Sequence, residues 1–281
     1  MPELPEVETV MRGLMPVMVG ATIKTVDQRR ADLRIPFPDN MKKRLEGRQV
    51  LSLNRRAKYM RIFLDDDNVL VIHLGMSGRM SIIDKGIRYS PQLHDHLILT
   101  LDNGVRLVYN DPRRFGMVFM TSAAELEHHR AFSHLGPEPL GNKFSGPILE
   151  ERLKGKKTGI KQALLDQRVV VGVGNIYACE ALFQAGINPA KQAYLVKGDK
   201  AEKLAAAIKD VLRRAIKAGG STLKDYRHAD GELGYFQHDF TVYGKEGEAC
   251  LNCDCNVIKS GGIKRLVQSG RSTFYCARKQ K

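Results

Sequence analysis

The sequence predicts an α+β chain: a β-sandwich first, helices second, and a cysteine-bearing β-hairpin at the end. Three observations predict it. Paired apolar runs flank tight turns in the first half, glycine and proline concentrate near residue 135, and an amphipathic helical stretch precedes a cluster of cysteines. By length alone, 281 residues correspond to about two domains.

The elements follow in order. Val7, Val10, Met11 and Leu14 recur at helical spacing, so a first helix runs to about Gly13 or beyond. Tyr59 to Leu64 and Val69 to Leu74 are strand-like runs separated by Asp65-Asp66-Asp67-Asn68, a hairpin signal. Leu97 to Leu101 and Val105 to Tyr109 flank Asp102-Asn103-Gly104, and Asn-Gly is the strongest short hairpin cue. Several short strands in succession indicate a sandwich or flattened barrel. Leu135-Gly136-Pro137-Glu138-Pro139-Leu140-Gly141 has the composition of an interdomain linker. Beyond it, Asp199 and Glu202 make a capping-box-like start, Leu204, Ile208, Val211, Leu212 and Ile216 share one helical face, and Gly219-Gly220 stops the helix. Ser221 to Phe240 is polar and reads as a mobile loop. In the tail, Lys264 to Tyr275 reads as two strands joined at Ser269-Gly270, with Arg271 at the tip.

Lys and Arg number 45 against 31 Asp and Glu, a net charge of +14. That surplus favours a polyanionic partner through counterion release from phosphates, although a merely basic protein would show it too. No stretch is long and apolar enough to cross a bilayer, and the first residues lack the layout of a signal peptide. A cytoplasmic location is therefore expected, where disulfides are rare. Cys179 stands alone, while Cys250, Cys253, Cys255 and Cys276 crowd the tail, and Cys250-x-x-Cys253 is a zinc-knuckle spacing.

The first residues, Met1-Pro2-Glu3-Leu4-Pro5-Glu6-Val7-Glu8, place a proline where removal of the initiator methionine would expose a secondary amine beside carboxylates. An α-amino group has a pKa of about 7.7–8, so part of it is free base at neutral pH. A proline amine attacking an aldehyde carbon has no N–H left to lose, so it gives a cationic iminium, an electron sink for elimination. Taken alone, Pro2 reads better as an ordinary helix start, where its missing N–H costs nothing.

Other segments carry weaker signals. Val171-Gly172-Val173-Gly174-Asn175-Ile176-Tyr177 leads into a helix over Ala178 to Ala185, and glycines before a helix let a phosphate approach its N-terminus. Lys154, Lys156, Lys157 and Lys161 lie upstream and suit backbone contacts to DNA, or a solvated charged face. In Asn110-Asp111-Pro112-Arg113-Arg114-Phe115-Gly116, Arg113 and Phe115 would point the same way if the chain were extended. A ring can wedge a base step while an arginine bonds a base edge, but a surface arginine pair over a buried Phe has the same sequence. Met76, between Gly75 and Gly78, reads as an apolar tip or as core filler. Lys58 begins a strand at a hairpin end; alone it reads as a routine surface lysine, and near Pro2 it could hold a phosphate or move a proton.

The chain closely resembles the bacterial formamidopyrimidine-DNA glycosylase family over nearly its full length. Four motifs in the same order carry the likeness: Pro-Glu-Leu-Pro-Glu, Asn-Asp-Pro-Arg-Arg-Phe-Gly, Val-Gly-Asn-Ile-Tyr and Ser-Gly-Arg-Ser-Thr-Phe-Tyr-Cys. The resemblance implies an N-terminal β-sandwich, a helical helix–two-turn–helix domain and a C-terminal zinc-finger β-hairpin, over residues 2–134, 135–240 and 241–281. It implies excision of oxidised purines (8-oxoguanine, formamidopyrimidines) from damaged double-stranded DNA, with AP-lyase cleavage by β,δ-elimination, by a monomer. Pro2 would be the nucleophile, Glu3 the general acid with Glu6 in support, Lys58 the proton donor for β-elimination and Arg271 the finger-tip arginine for δ-elimination. Met76, Arg113 and Phe115 would fill the space left by the extruded base. His94, Lys156, Lys161 and Asn175 would contact the DNA backbone, and the loop from Ser221 to Phe240 would cap the flipped base. One departure is visible: Lys279 stands where the family's last zinc cysteine is expected, so the zinc set becomes Cys250, Cys253, Cys276 and, as fourth ligand, Cys255, against a metal-free hairpin. The alternatives are an endonuclease VIII-like glycosylase for oxidised pyrimidines and a damage-binding protein without chemistry.

Overall fold

The computed structural model describes residues 2–221, 234–251 and 256–281. They divide into two compact units, Met1–Ser133 with Ala218–Tyr235, and His134–Lys217 with Phe236–Lys281.

The first unit opens with α1 (Leu4–Met18). Leu4, Val7, Val10, Met11, Leu14 and Met18 are all buried, which is one apolar helical stripe facing inward. Each fully buried side chain of this size contributes roughly 1.5–3 kcal/mol of transfer free energy. After α1 come β1 (Ile23–Gln28), the short α2 (Met41–Leu45), β2 (Val50–Arg56), β3 (Tyr59–Leu64), β4 (Asn68–His73), β5 (Arg79–Ile83), β6 (Asp95–Leu101), β7 (Arg106–Asn110) and β8 (Met117–Ser122). They form two four-stranded sheets in the orders β1-β6-β7-β5 and β2-β3-β4-β8. Every pairing within them is antiparallel.

One core is shared by both sheets: Ile23, Leu97, Leu99 and Leu107 come from the first, and Met60, Ile62, Leu70 and Ile72 from the second. That is a β-sandwich, and α1 packs on β2 and β3. The two expected hairpins are present. In the acidic turn between β3 and β4, Asp67 takes φ 60°, and between β6 and β7 Gly104 takes φ 88°, the left-handed backbone such turns require.

The second unit contains α3 (Gly146–Leu153), α4 (Ile160–Leu165), α5 (Asn175–Gln184), α6 (Asp199–Lys217), α7 (Val257–Ser260) and a hairpin of β9 (Lys264–Gln268) with β10 (Arg271–Tyr275). Helix α5 is buried from Ile176 through Phe183, so it is the central helix, with α4 and α6 packed against it. It begins three residues before the expected Ala178, because Gly174 in extended conformation forms the N-cap and places Asn175 in the first helical turn. The hairpin turn falls at Ser269 (φ 48°) and Gly270 (φ 73°), where the sequence places it. Cys179, Phe183, Val242, Cys250, Ile263 and Cys276 form a small second core joining α5 to the tail.

Candidate active site

Pro2 is buried immediately before α1, and Glu3, the N-cap residue, is 2% exposed. Glu6, one turn into the helix, is equally buried and acts as a hub. Its Oε2 accepts the Glu3 N–H at 2.8 Å, while its Oε1 accepts the Ser221 N–H at 2.8 Å and the Ser221 hydroxyl at 3.0 Å. The first bond satisfies one of the N–H groups a helix start leaves over. Gly220 has φ +78°, which strains any side chain, and a Cβ there would lie 3.1 Å from Glu6 Oε1, a tight contact that Glu6 would have to yield to. Residues 222–233 of the expected capping loop lie outside the described residues. Its two stems are joined by the Tyr235 N–H to Ala218 O bond and a bridge between Ser221 and Tyr235.

Helix α1 also fixes the turn that carries Lys58. Glu8 accepts Arg55 Nε at 2.8 Å, and Arg55 in turn donates to Ala57 O at 2.9 Å. Ala57 has φ 55°, which makes the tight turn from β2 to β3, and Lys58 sits there only 8% exposed. The His73 imidazole lies within the field of Lys58. Burial first, then the charges of Lys58 and Arg34, lower its pKa to about 4. It is therefore neutral at pH 7, and its Nδ1 accepts the Gly75 N–H at 3.1 Å.

Gly75 leads directly to Met76, which is 40% exposed and so not core filler. Phe115 is 42% exposed, which excludes the reading in which it is buried under its arginines. Arg113 and Phe115 do face together, with the guanidinium carbon 4.9 Å from the ring centroid. The reason differs from the expected one: the segment is not extended, because Arg114 takes φ 56° and turns the chain. His94 precedes β6 and is partly exposed. It is followed by Asp95, which accepts from Tyr89, Asn110 and the Gln92 N–H. Burial alone would raise Asp95, but these bonds together hold its carboxyl below the usual range.

In the second unit the expected backbone-contacting residues are largely committed to the hairpin. Lys161 is wholly buried rather than solvent-facing: its Nζ donates to Thr273 Oγ1 at 2.6 Å and Ser272 O at 3.1 Å. Asn175 Nδ2 donates to Ser272 O at 3.0 Å and the Tyr243 hydroxyl at 3.3 Å. Lys156 is partly buried and pairs with Asp166 at 3.7 Å, while Lys157 beside it is exposed. Arg271, the first residue of β10, is exposed at the hairpin tip.

Of the four tail cysteines, Cys253 and Cys255 lie outside the described residues. Cys250 and Cys276 are both buried and in hydrogen-bond contact, which supplies two adjacent soft donors of the kind a tetrahedral thiolate set needs. Burial, then Cys276, push the Cys250 thiol up to about 11. Lys279 turns its ammonium over the Phe183 ring, 4.0 Å from the centroid, and its backbone N–H donates to Cys276 Sγ, 3.5 Å away.

Two buried acids that hold the neighbouring segments in place were not singled out in the sequence. Glu180 on α5 is 3% exposed and accepts the N–H groups of Thr241, Val242 and Tyr243 as well as the Thr241 hydroxyl. Its signal would have been a lone acid within an otherwise apolar helix. Asp111 is fully buried inside the arginine-bearing motif. An Asp-Pro pair at a strand end is the cue there.

A model of the formamidopyrimidine-DNA glycosylase N-terminal domain matches residues 1–118, and one of the formamidopyrimidine-DNA glycosylase H2TH domain matches residues 135–227. A formamidopyrimidine-DNA glycosylase of Beijerinckia indica is 53% identical, and one of Ruegeria sp. 51%, each covering 100% of both chains. Among solved structures, MutM (Fpg) of Thermus thermophilus superposes with a TM-score of 0.86 at 38% identity, covering 99% of this chain and 98% of that one. A variant of Lactococcus lactis Fpg bound to Fapy-dG-containing DNA superposes with a TM-score of 0.89 at 32% identity, covering 100% of each chain. Two domain matches that together span most of the sequence, and full-length identity above half, place this chain in the formamidopyrimidine-DNA glycosylase family, as a DNA glycosylase.

Proposed function

We propose that this enzyme removes oxidised purines, 8-oxoguanine and formamidopyrimidines, from duplex DNA and then cuts the strand by β,δ-elimination through a Schiff base on Pro2. The observation that carries the proposal is the buried start of α1, where Pro2 and Glu3 are held against solvent, Glu6 accepts the Glu3 N–H, and Ser221 anchors Glu6 in turn.

With Met1 removed, the Pro2 nitrogen attacks C1′ of the damaged nucleotide. The C1′–base bond breaks and the base departs with the proton that the Pro2 nitrogen releases; Glu3 then protonates the ring oxygen as the C1′–O4′ bond breaks, which leaves a hydroxyl on C4′ and the iminium at C1′. The cation acidifies C2′; its proton leaves, and the electron pair expels the 3′ phosphate. Lys58, near the same end of α1 through the Arg55–Glu8 bond, handles protons in that step. Arg271 engages the remaining phosphate for the second elimination. Holding Pro2 against C1′ makes an ordinary amine effective by proximity.

The reacting carbon lies inside the stacked duplex, so the nucleotide must be turned out at a cost of a few kcal/mol. Met76, Arg113 and Phe115, exposed together, fill the gap and offset that cost, with Arg113 reaching a base edge. His94 and Lys156 serve the DNA backbone. Lys161 and Asn175 serve it indirectly, by holding the hairpin that carries Arg271. Cys250 and Cys276, with Cys253 and Cys255, would hold one zinc ion, whose role is to fix the tail and not to react. Metal analysis of purified protein checks this: about one zinc per chain is expected, and none would leave the metal-free hairpin.

Borohydride reduction during reaction with 8-oxoguanine duplex tests the chemistry. A covalent protein–DNA adduct is expected from the wild type and not from Pro2→Gly. No adduct, or one unaffected by that substitution, would leave a binding protein or a different nucleophile. A second reading has a specific basis, because a Lactococcus lactis Fpg relative, 33% identical, is solved with DNA containing an oxidised pyrimidine. Comparing thymine glycol with 8-oxoguanine duplexes separates the two substrate classes.

A further inference from the structure

The two exposed loops that carry Met76 and Arg113–Phe115 meet at one buried carboxylate. Asp111, at the end of β7, is 0% exposed. Its Oδ1 accepts the Ser77 hydroxyl at 2.6 Å, and its Oδ2 accepts the Gly116 N–H at 2.8 Å and the Tyr109 hydroxyl at 3.5 Å. The Ser77 oxygen in turn accepts the Arg113 N–H at 3.1 Å. One side chain therefore ties the residue after Met76 to the backbone on both sides of Phe115. The Asp111 backbone is held as well: its N–H donates to His94 O at 3.0 Å, and its carbonyl lies 2.9 Å from His96 Nε2.

Packing completes the lock. A Cβ on Gly75 would fall 2.4 Å from the Phe115 carbonyl carbon, and one on Gly116 would fall 1.7 Å from the Tyr109 hydroxyl. The loops touch backbone to backbone, with no room for a side chain between them. Such a block presents Met76, Arg113 and Phe115 at fixed mutual spacing, although all three are exposed and would otherwise sample many rotamers.

We infer that Asp111 and Ser77 are positioning residues that hold the three void-filling side chains as one preassembled wedge. This rests on the reading that those side chains enter the base stack. The wedge matters only where a stacked, paired base has to be displaced. It has little to do at an abasic site, where no base needs extruding, although the sugar chemistry there is the same.

Ser77→Ala and Asp111→Asn separate these two demands. Single-turnover rates are measured on a duplex with 8-oxoguanine opposite cytosine and on the same duplex with an abasic site, with thermal melting as a check on folding. Each variant should lose about tenfold or more on the paired lesion while staying within about twofold at the abasic site. Placing the lesion in an unpaired bulge should restore much of the lost rate. Equal losses on both substrates, or no loss on either, overturn the inference. If Asp111→Asn fails to fold, Ser77→Ala, which deletes a single oxygen, decides alone. A wild type that cleaves neither substrate refutes the proposed function itself, and the wedge with it.

Discussion

Replacing Glu6 with Gln keeps the shape of the side chain and removes its charge and one acceptor. In the wild type one oxygen serves the Glu3 N–H and the other serves both donors of Ser221. An amide has a single oxygen, so its NH2 group must face a donor on one side or the other. An unmet buried donor costs about 1–3 kcal/mol, and the surviving bonds lose their charge assistance, from about 1.5–3 to about 0.5–1.5 kcal/mol each. The sum is on the order of 3 kcal/mol. At about 2–4 °C per kcal/mol for a body of this size, the melting temperature should fall by roughly 6–12 °C. Circular dichroism melting measures it, and the glycosylase rate should fall as well because Glu3 is no longer pinned. A change in melting temperature under about 2 °C would show that these three bonds do not hold the start of α1, and the reasoning would fail.

Two further outcomes follow from the structure. The folded-state pKa of His73, about 4, lies below its ordinary 6.5, so as pH falls the unfolded chain binds the proton first. The associated stability is complete above about pH 6.5 and is lost progressively toward 4; urea midpoints at pH 7 and 5 should diverge more for wild type than for His73→Gln, and equal divergence would refute the assignment. Lys161→Met should weaken docking of the hairpin by about 1–3 kcal/mol, through loss of the bonds to Ser272 and Thr273. Faster amide exchange across β9 and β10 is the expected readout, and unchanged protection would contradict it.

What could be read in the sequence was mainly local. Asn103-Gly104 and Ser269-Gly270 announce their hairpins because only a few residue types adopt left-handed backbone, and both turns form where expected. The pairings of strands distant in sequence within each sheet carry no such cue: Val69 pairs with Thr121, and Val26 with Leu99, through contacts that only the folded chain creates. The same limit explains Lys161. Lys154, Lys156 and Lys157 lie a few residues upstream, which suggests a solvated face, whereas the bonds to Thr273 and Ser272, more than a hundred positions away, go with its burial. Arg113 and Phe115 were recognisable as partners, but the left-handed turn at Arg114 that joins them was not. Pro2, Glu3 and Glu6 were legible as a group because they share one helix start, and Ser221 was not, because nothing near position 221 points to Glu6.

The bond from Ser221 back to Glu6 also bears on how the protein is made. Ala218–Tyr235 belongs to the first unit although the whole of His134–Lys217 is synthesised before it. When Ser133 leaves the ribosome, the helix start still lacks its partner, and at roughly 5–20 residues per second that partner arrives about 4–18 s later. The amino-terminal half therefore waits, nearly complete but unfastened, until the middle of the polypeptide has been translated.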